Sequence, residues 1–479
     1  MAAPATTRKA FDRSLVEGPI ARAVWKLAWP TMLQNVIGGA QGIVDHALVG
    51  HFVGFAGNAA IGVSFQIFLV VIVFVSSLFT GMSVLVARFA GAGDVEKVNR
   101  TVYQAFLAAI GLSAFILAPL GYILAPPLLE LVHATPAVRA EALPYLRIML
   151  VCSFGMLMFF MVGGALRSAG DAHTPLRLGV LMTVLNVVFN VICIRGLGPI
   201  PRMGTAGAAV GTSVAGAIVT VVAVYLLRSG KLVVTWHRGM DWRPDWTIIR
   251  SLFRFGLPTG FQGIAMNIAG VLLLRFIGSL ELSAEAQAVY AVGYGELFSF
   301  ITWTSVGLMG AAAAMAGQNL GAGHPERSVR GVHVAAMIGL GVAALVGGLF
   351  VALPDRLLAL FGMTTPAVVG LGTQLLAFLS ISGFFITVAL TYTGGLQGTG
   401  DTRSPLYISI VSQIVVPLGL CATVQSMRGL HPADIWTAIL LGHATRCVLS
   451  VVRFRQGKWR DIRVDIDAPR DQSPLPAGR

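Results

Sequence analysis

The sequence predicts an all-α polytopic membrane protein with twelve transmembrane helices in two six-helix repeats. Three observations carry that prediction. Only 11% of the 479 residues are charged and 56% are hydrophobic, with a mean hydropathy of +0.78, whereas soluble chains carry roughly 25% charged residues. Apolar runs of the length needed to cross a bilayer, about 20 residues, recur along the whole chain. Glycine is abundant, 56 residues, and occurs within these runs; small residues let helices pack closely in lipid, while a β-barrel would show short alternating strands.

The spans follow in order. The tail 1–24 carries Arg8, Lys9 and Arg13, but the apolar run behind it exceeds 25 residues and lacks a small-residue cleavage site, so 27–51 is a first span and not a signal peptide. Spans 57–82 and 101–124 are separated by AGAGD, beginning at Ala90. Span 143–166 leads into GALRSAGDAHTPL, beyond which lie 176–194 and 204–227. The polar stretch with Arg228, Lys231, Arg238, Arg243 and Arg250 marks a linker, 228–247, between lobes 25–227 and 248–454. Spans 250–277, 286–313, 331–353, 374–396, 406–426 and 434–454 build the second lobe, and 455–479 forms a tail.

Lys and Arg set the orientation, because they accumulate in cytoplasmic loops. With an even number of spans, both tails and the even-to-odd loops share one side, which holds 26 of the 34 basic residues. The other side holds Arg139, Arg147, Arg195, Arg202, Arg275, Arg356 and Arg428, and Arg446 falls inside the last span. Both termini are therefore expected in the cytoplasm, with the chain a multi-pass protein of the inner or plasma membrane. The net charge of +13 does not indicate nucleic acid, since the basic residues are not interleaved with exposed aromatics.

The chain resembles itself. TPAVRAEALPYL from Thr135 matches TPAVVGLGTQLL from Thr365; GALRSAGDAHTPL from Gly164 matches GGLQGTGDTRSPL from Gly394; AGAGD at Ala90 matches LGAGH at Leu320, all at one constant offset. WPTMLQ at Trp29 matches LPTGFQ at Leu257 at nearly the same offset. Six helices per repeat give the halves the same orientation, related by a pseudo-two-fold axis along the membrane normal, and such bundles bind solute between them and alternate access by rocking. In the repeated loop, Gly170 and Gly400 are expected to end one helix in the left-handed conformation, Thr174-Pro175 and Ser404-Pro405 to start the next as N-cap and N1, and Asp171 and Asp401 to accept backbone N–H bonds.

Few acids lie deep in the spans. Asp45 stands fifteen residues past Pro30, about 22 Å along a helix. A lone carboxylate there costs about 2.5–3.5 kcal/mol on insertion scales and is retained for function or paired internally; it can load and release a proton. Glu296 is the second acid, and could attract a cationic substrate or pair with Arg446 or His443. Arg275 is expected to snorkel, and His46 and His51 to be bystanders. Cys152, Cys193, Cys421 and Cys447 lie in apolar stretches without metal-ligand spacing and are expected to be inert core thiols. Phe154, Met158, Phe159, Phe298, Trp303 and Phe384 are candidate cavity walls. No HExxH, Walker A or GxSxG motif on a suitable turn occurs, so the chain is not expected to be an enzyme, and no cofactor or structural metal is implied.

WPTMLQ followed by Asp45 in GIVDHALVG, the GAG(D/H) loops, the GD-x-x-(T/S)-P loops and the terminal RFRQGKW together resemble the multidrug and toxic compound extrusion (MATE) family, in its DinF-type and NorM-type branches. The resemblance runs from Trp25 to Trp459. It implies secondary active efflux of amphipathic, often cationic solutes in exchange for H⁺ or Na⁺ by one chain acting as a monomer. It also implies a polar cluster of Asp45 with Asn186, Asn190 and Thr212, and a bending of the first helix at Pro30 linked to the state of that Asp. Proline removes a backbone hydrogen bond, which permits such a bend. A proton is preferred, but the carboxylate, amide and hydroxyl oxygens of this cluster would also hold Na⁺. The chain departs from the NorM-type pattern in having Met266, and Ile386 and Thr387, where acids are expected in the second lobe. A dedicated exporter of one metabolite, or a lipid-precursor flippase of the same superfamily, is the alternative.

Overall fold

The computed structural model describes residues 11–132, 135–237, 239–464 and 466, with side chains at all of these except 66 and 69–75. The first ten residues of the N-terminal tail, Arg238 of the linker and most of the C-terminal tail lie outside the described residues. After a single turn at Ser14–Glu17 the helices are α1 (Ile20–Phe52), α2 (Phe55–Gly91), α3 (Val95–Leu131), the two-part α4 (Pro136–Val151 and Ser153–Ser168), α5 (His173–Arg195) and α6 (Thr205–Arg228). They continue as α7 (Trp246–Gly278), α8 (Ser283–Gly321), α9 (Pro325–Ala352), α10 (Pro366–Thr399), α11 (Arg403–Arg428) and α12 (Pro432–Arg455).

Among the described residues, nine helices, α3 and α5 to α12, are long and apolar enough to cross a membrane, and α4 adds a tenth if its halves, bent by 49°, form one span. The outer surface is apolar, with Val221, Tyr225, Val271, Leu345 and Val351 all more than 60% exposed, as a lipid solvent requires. The helices outrun the apolar windows at most ends, because a polar turn outside lipid still completes its backbone hydrogen bonds. The α4 break falls at Cys152, which is exposed, while Cys193 and Cys421 are buried; the first of the four expected core thiols is thus not one.

The repeated sequences make repeated contacts. Gly170 and Gly400 both take left-handed φ, +99° and +101°, where a side chain would be strained. The next helices begin at His173 and Arg403, two residues before the expected start at the prolines. Asp171 and Asp401 act as the capping acceptors instead of Thr174 and Ser404: Asp171 accepts from Thr174 N at 3.0 Å and Thr174 Oγ1 at 2.7 Å, and Asp401 from Ser404 N at 3.2 Å and Ser404 Oγ at 2.9 Å. A carboxylate aimed at the first-turn N–H groups also suits their positive dipole end. Pro175 and Pro405 then lie within that first turn, where no intrahelical N–H bond is needed.

At the end of the bundle that carries both ends of the described chain, the halves interlock. A Cβ on Gly91 would stand 1.9 Å from Gln318 O, and one on Gly321 would stand 2.1 Å from Arg88 O. The two contacts are reciprocal, because the repeat offset that carries Arg88 to Gln318 also carries Gly91 to Gly321. Gly81 meets Leu252 O and Gly256 meets Ser77 O in the same way, joining α2 to α7. Only glycine allows backbones so close.

Candidate functional site

The helix α1 runs unbroken through Pro30. Its buried stretch from Leu27 to Met32 lies against α8, where Gly307 leaves room for the Met32 backbone. Thr31 Oγ1 donates to Leu27 O and, at 3.2 Å, to Ala28 O, so side-chain bonding occupies carbonyls next to the proline. Beyond this point α1 presents a polar stripe. Gln34 accepts from Arg167 Nη1 of α4 at 3.0 Å, Gln41 accepts from Thr183 Oγ1 of α5 at 2.8 Å, and Asp45 accepts from Asn190 Nδ2 of α5 at 2.8 Å. Positions 34, 41 and 45 are spaced by seven and four, hence on one helical face.

The structure brings together all four residues of the expected cluster. Asn186 and Asn190, both fully buried, lie one turn apart on α5. Asn190 Nδ2 donates to Asp45 and, at 3.2 Å, to Asn186 Oδ1; Asn186 Nδ2 donates to Thr212 Oγ1 at 2.8 Å; Thr212 donates to Ala208 O at 2.9 Å. Every donor atom in this chain makes at least one hydrogen bond. One buried acceptor makes none: Asn190 Oδ1 has no partner among the described residues. Asp45 is half-buried, so the cluster can be reached from outside the core. A proton on Asp45 would supply the donor that Asn190 Oδ1 lacks, and a small cation would coordinate the same oxygen.

Several neighbours were not foreseen. Gly211 of α6 makes space for the amide, since a Cβ there would stand 2.2 Å from Asn190 Oδ1. Tyr145 of α4 packs on the cluster of Val49, Ile61, Ile194 and Ala208 within electrostatic reach of Asp45. Gln34 and Gln41 could have been found from their spacing to Asp45. His46 hydrogen-bonds Asn58, and His51 packs edge-on against Phe52, outside the chain of bonds at Asp45.

In the second half the expectations needed correction. Glu296 sits half-buried in a π-helical stretch of α8, Ala291–Leu297, and makes no hydrogen bond or ion pair among the described residues. The pairing with Arg446 or His443 does not form, because those two belong to a separate buried cluster with Tyr294 and Met266. Met158 and Phe298 are packed into cores, 1% and 0% exposed, and are not cavity walls. Phe154 and Phe384 are exposed, and Trp303 covers Gly39 of α1. Arg275 is exposed and lines a cavity of about 900 Å³ between α7 and α11.

A family model, MatE, matches residues 30–192 and 258–423. The probable multidrug resistance protein NorM of Thermotoga maritima is 26% identical over 445 residues, covering 92% of this chain and 93% of that protein. The multidrug resistance protein MdtK of Pectobacterium atrosepticum is 26% identical over 445 residues, covering 91% and 95%. Among solved structures, an outward-facing multidrug resistance MATE family transporter of the MOP superfamily superposes with a TM-score of 0.86 at 21% identity, covering 94% of this chain and 98% of that one. A MOP superfamily transporter from Pyrococcus furiosus, with a binding pocket of reversed polarity, gives 0.85 at 21% identity over the same shares.

Proposed function

Since the chain belongs to the MatE family and is a secondary active efflux transporter rather than an enzyme, we propose that it exports amphipathic, often cationic solutes in exchange for H⁺, which is carried by Asp45. The observation that carries the reading is Asn190 Oδ1, unpartnered among the described residues, beside a carboxylate whose hydrogen-bonded chain consists of neutral amides and a hydroxyl. Protonated Asp45 turns one of its oxygens from acceptor to donor, which satisfies Asn190 Oδ1 and weakens the charge-assisted bond from Asn190 Nδ2. Beside the neutral Thr183–Gln41 bond, that bond is the charged one of the two that tie the far part of α1 to α5. Its weakening lets α1 repack about Pro30, where the helix already lacks one backbone bond, and so links proton binding to the shape of the solute path.

In this reading twelve spans form two six-helix lobes, 25–227 and 248–454, joined by the linker 228–247 and related by an axis along the membrane normal. The reciprocal contacts of Gly91 with Gln318 and Gly321 with Arg88 support it. So does the equivalence of Arg167 donating to Gln34 at 3.0 Å and Gln397 donating to Gln262 at 3.4 Å. The positive-inside count puts both termini in the cytoplasm. One chain contains both lobes and the complete cluster, and it acts as a monomer.

Efflux of tetraphenylphosphonium from proteoliposomes under an imposed pH or Na⁺ gradient tests the reading. A pH gradient alone should drive efflux in the wild type and fail in Asp45→Asn. Full gradient-driven efflux by the variant would overturn the role of Asp45. Efflux that follows only the Na⁺ gradient would replace the proton by Na⁺ at the same oxygens.

A further inference from the structure

The second half holds a buried cation that proton exchange at Asp45 does not use. Arg446 of α12 is 2% exposed, and its neighbour one turn earlier, His443, is 1% exposed. Among the described residues the guanidinium contacts a thioether, Met266 Sδ of α7, 3.9 Å from Nη1; its Nε has no partner, and no carboxylate pairs with it. Removing a charge from water this completely is unfavourable unless an opposite charge or strong acceptor meets it.

Two more polar groups end unpartnered beside it. Tyr294 Oη lies 3.5 Å from His443 Nε2; with the hydroxyl donating, the imidazole proton stays on Nδ1, which has no partner among the described residues. Gln413 Nε2 is likewise buried and unpartnered. It lies on the π-helical stretch of α11, Val411–Val415, and a Cβ on Gly442 of α12 would stand 3.7 Å from it. Side chains on a helix lean toward its N-terminus, so Arg446 leans over the turn of Gly442 and His443 where these groups end. The cluster thus gathers more donors than acceptors, and the acceptors it holds, the Tyr294 hydroxyl oxygen and the Met266 thioether, carry no charge. An aromatic wall borders it: the Tyr294 ring stacks on Phe298 at 5.4 Å and on His443 at 6.2 Å. Both flanking helices, α8 and α11, take π-helical turns here, a distortion frequent at functional sites.

We propose that Arg446, with His443 and Gln413, binds the acidic group of the exported solute, so that the transporter takes amphipathic carboxylates or sulfonates, including zwitterions, that carry an aromatic ring. The ring lies against Tyr294, which Phe298 backs from the core. Met266, 37% exposed, covers the guanidinium, and its unbranched side chain can swing aside to admit the ligand. This inference rests on the efflux reading and adds the sign of charge that its second half accepts.

Equilibrium binding of naphthalenesulfonate to the purified full-length chain, in nanodiscs of phosphatidylcholine, tests it alongside tetraphenylphosphonium efflux. Arg446→Gln should weaken naphthalenesulfonate roughly thirtyfold or more, and Arg446→Lys should recover part of the loss. Met266→Glu places a carboxylate beside the guanidinium; it should abolish naphthalenesulfonate binding while the melting temperature stays at or above that of the wild type, which separates loss of the site from loss of the fold. Unchanged binding in Arg446→Gln or Met266→Glu overturns the proposal. So does wild-type protein that binds no naphthalenesulfonate yet expels tetraphenylphosphonium, an outcome that leaves the efflux reading standing. Wild-type protein that binds naphthalenesulfonate and moves neither probe under any gradient overturns the efflux reading and, with it, the assignment of the anion as cargo. Phosphatidylglycerol added to the nanodiscs should leave the affinity unchanged; displacement by it overturns the solute assignment in favour of a lipid phosphate.

Discussion

The two halves share their scaffold and differ in the polar groups they bury. The turn after α4 and the turn after α10 have the same left-handed glycine, the same carboxylate cap and the same hydroxyl partner. Gln34 packs on Gly179; Gln262, its counterpart in the repeat, donates at 2.7 Å to Ser409, the counterpart of Gly179. At the acidic cluster the likeness ends. By the same offsets Asp45 corresponds to Leu273, Asn186 to Val416, Asn190 to Leu420 and Thr212 to Gly442. The second half instead buries His443, next to Gly442, and Arg446, one turn further along α12. Backbone geometry tolerates few residue types at a turn or a close helix crossing, whereas a buried polar group needs only its own partners, so the halves could diverge there without disturbing the fold.

The largest effect that tests this contrast is loss of Asp45. Asp45→Asn should reduce gradient-driven efflux in proteoliposomes to the level of empty vesicles, while Leu273→Asn at the equivalent place should leave the coupling to the pH gradient intact. Gly211→Ala comes next. Its Cβ would stand 2.2 Å from Asn190 Oδ1 and 2.7 Å from Asn190 N, so it should displace the amide, impair proton-driven efflux and cost about 1–3 kcal/mol of stability by overpacking, read from thermal unfolding.

The shared turn should respond alike in both halves. Asp171→Ala and Asp401→Ala each lose a cap worth about 0.5–2 kcal/mol, and Asp401→Ala also strands Arg453, whose guanidinium lies 2.8 Å from the carboxylate. Thermal melts of the two variants and of Arg453→Gln measure this, and transport by the folded fraction should persist. The smallest effect lies at the N-terminal segment. Burial opposes the charge of Asp12, but hydrogen bonds from Lys26 and Ser14 prevail and hold its carboxyl below the usual 3.8. Its stabilisation is therefore present above that value and fades as pH falls through the lowered one. Asp12→Asn should cost less than about 1 kcal/mol near neutrality, with the difference from wild type shrinking in acid.

Much of this was legible in the residues. The apolar runs located every helix from α1 to α12, since a bilayer imposes a length that composition reveals. Asp45 stood out because a carboxylate in such a run needs a reason. Its partners Asn186 and Asn190 share a face by their spacing, and Gln34 and Gln41 lie on the Asp45 face by the same rule. Helix ends were less legible, as at His173 and Arg403, because a cap depends on which side chain reaches the first-turn N–H groups. Glu296 and Arg446 were visible as deep charges, but their separation was not, since nothing local states which neighbour a helix face meets.

The sequence by itself determined the solvent, the helices, the repeat and the single carboxylate deep in the spans of the first half, because hydropathy, length and internal similarity are properties of the chain read along its own axis. The tertiary structure alone decided that, among the described residues, Asn190 Oδ1 is left without a donor and that Glu296 and Arg446 do not pair. It also decided that Arg446 Nε, His443 Nδ1 and Gln413 Nε2 are buried without a partner among the described residues. Those facts depend on how α5, α7, α8, α11 and α12 are rotated against one another, and rotation is fixed by packing across the bundle.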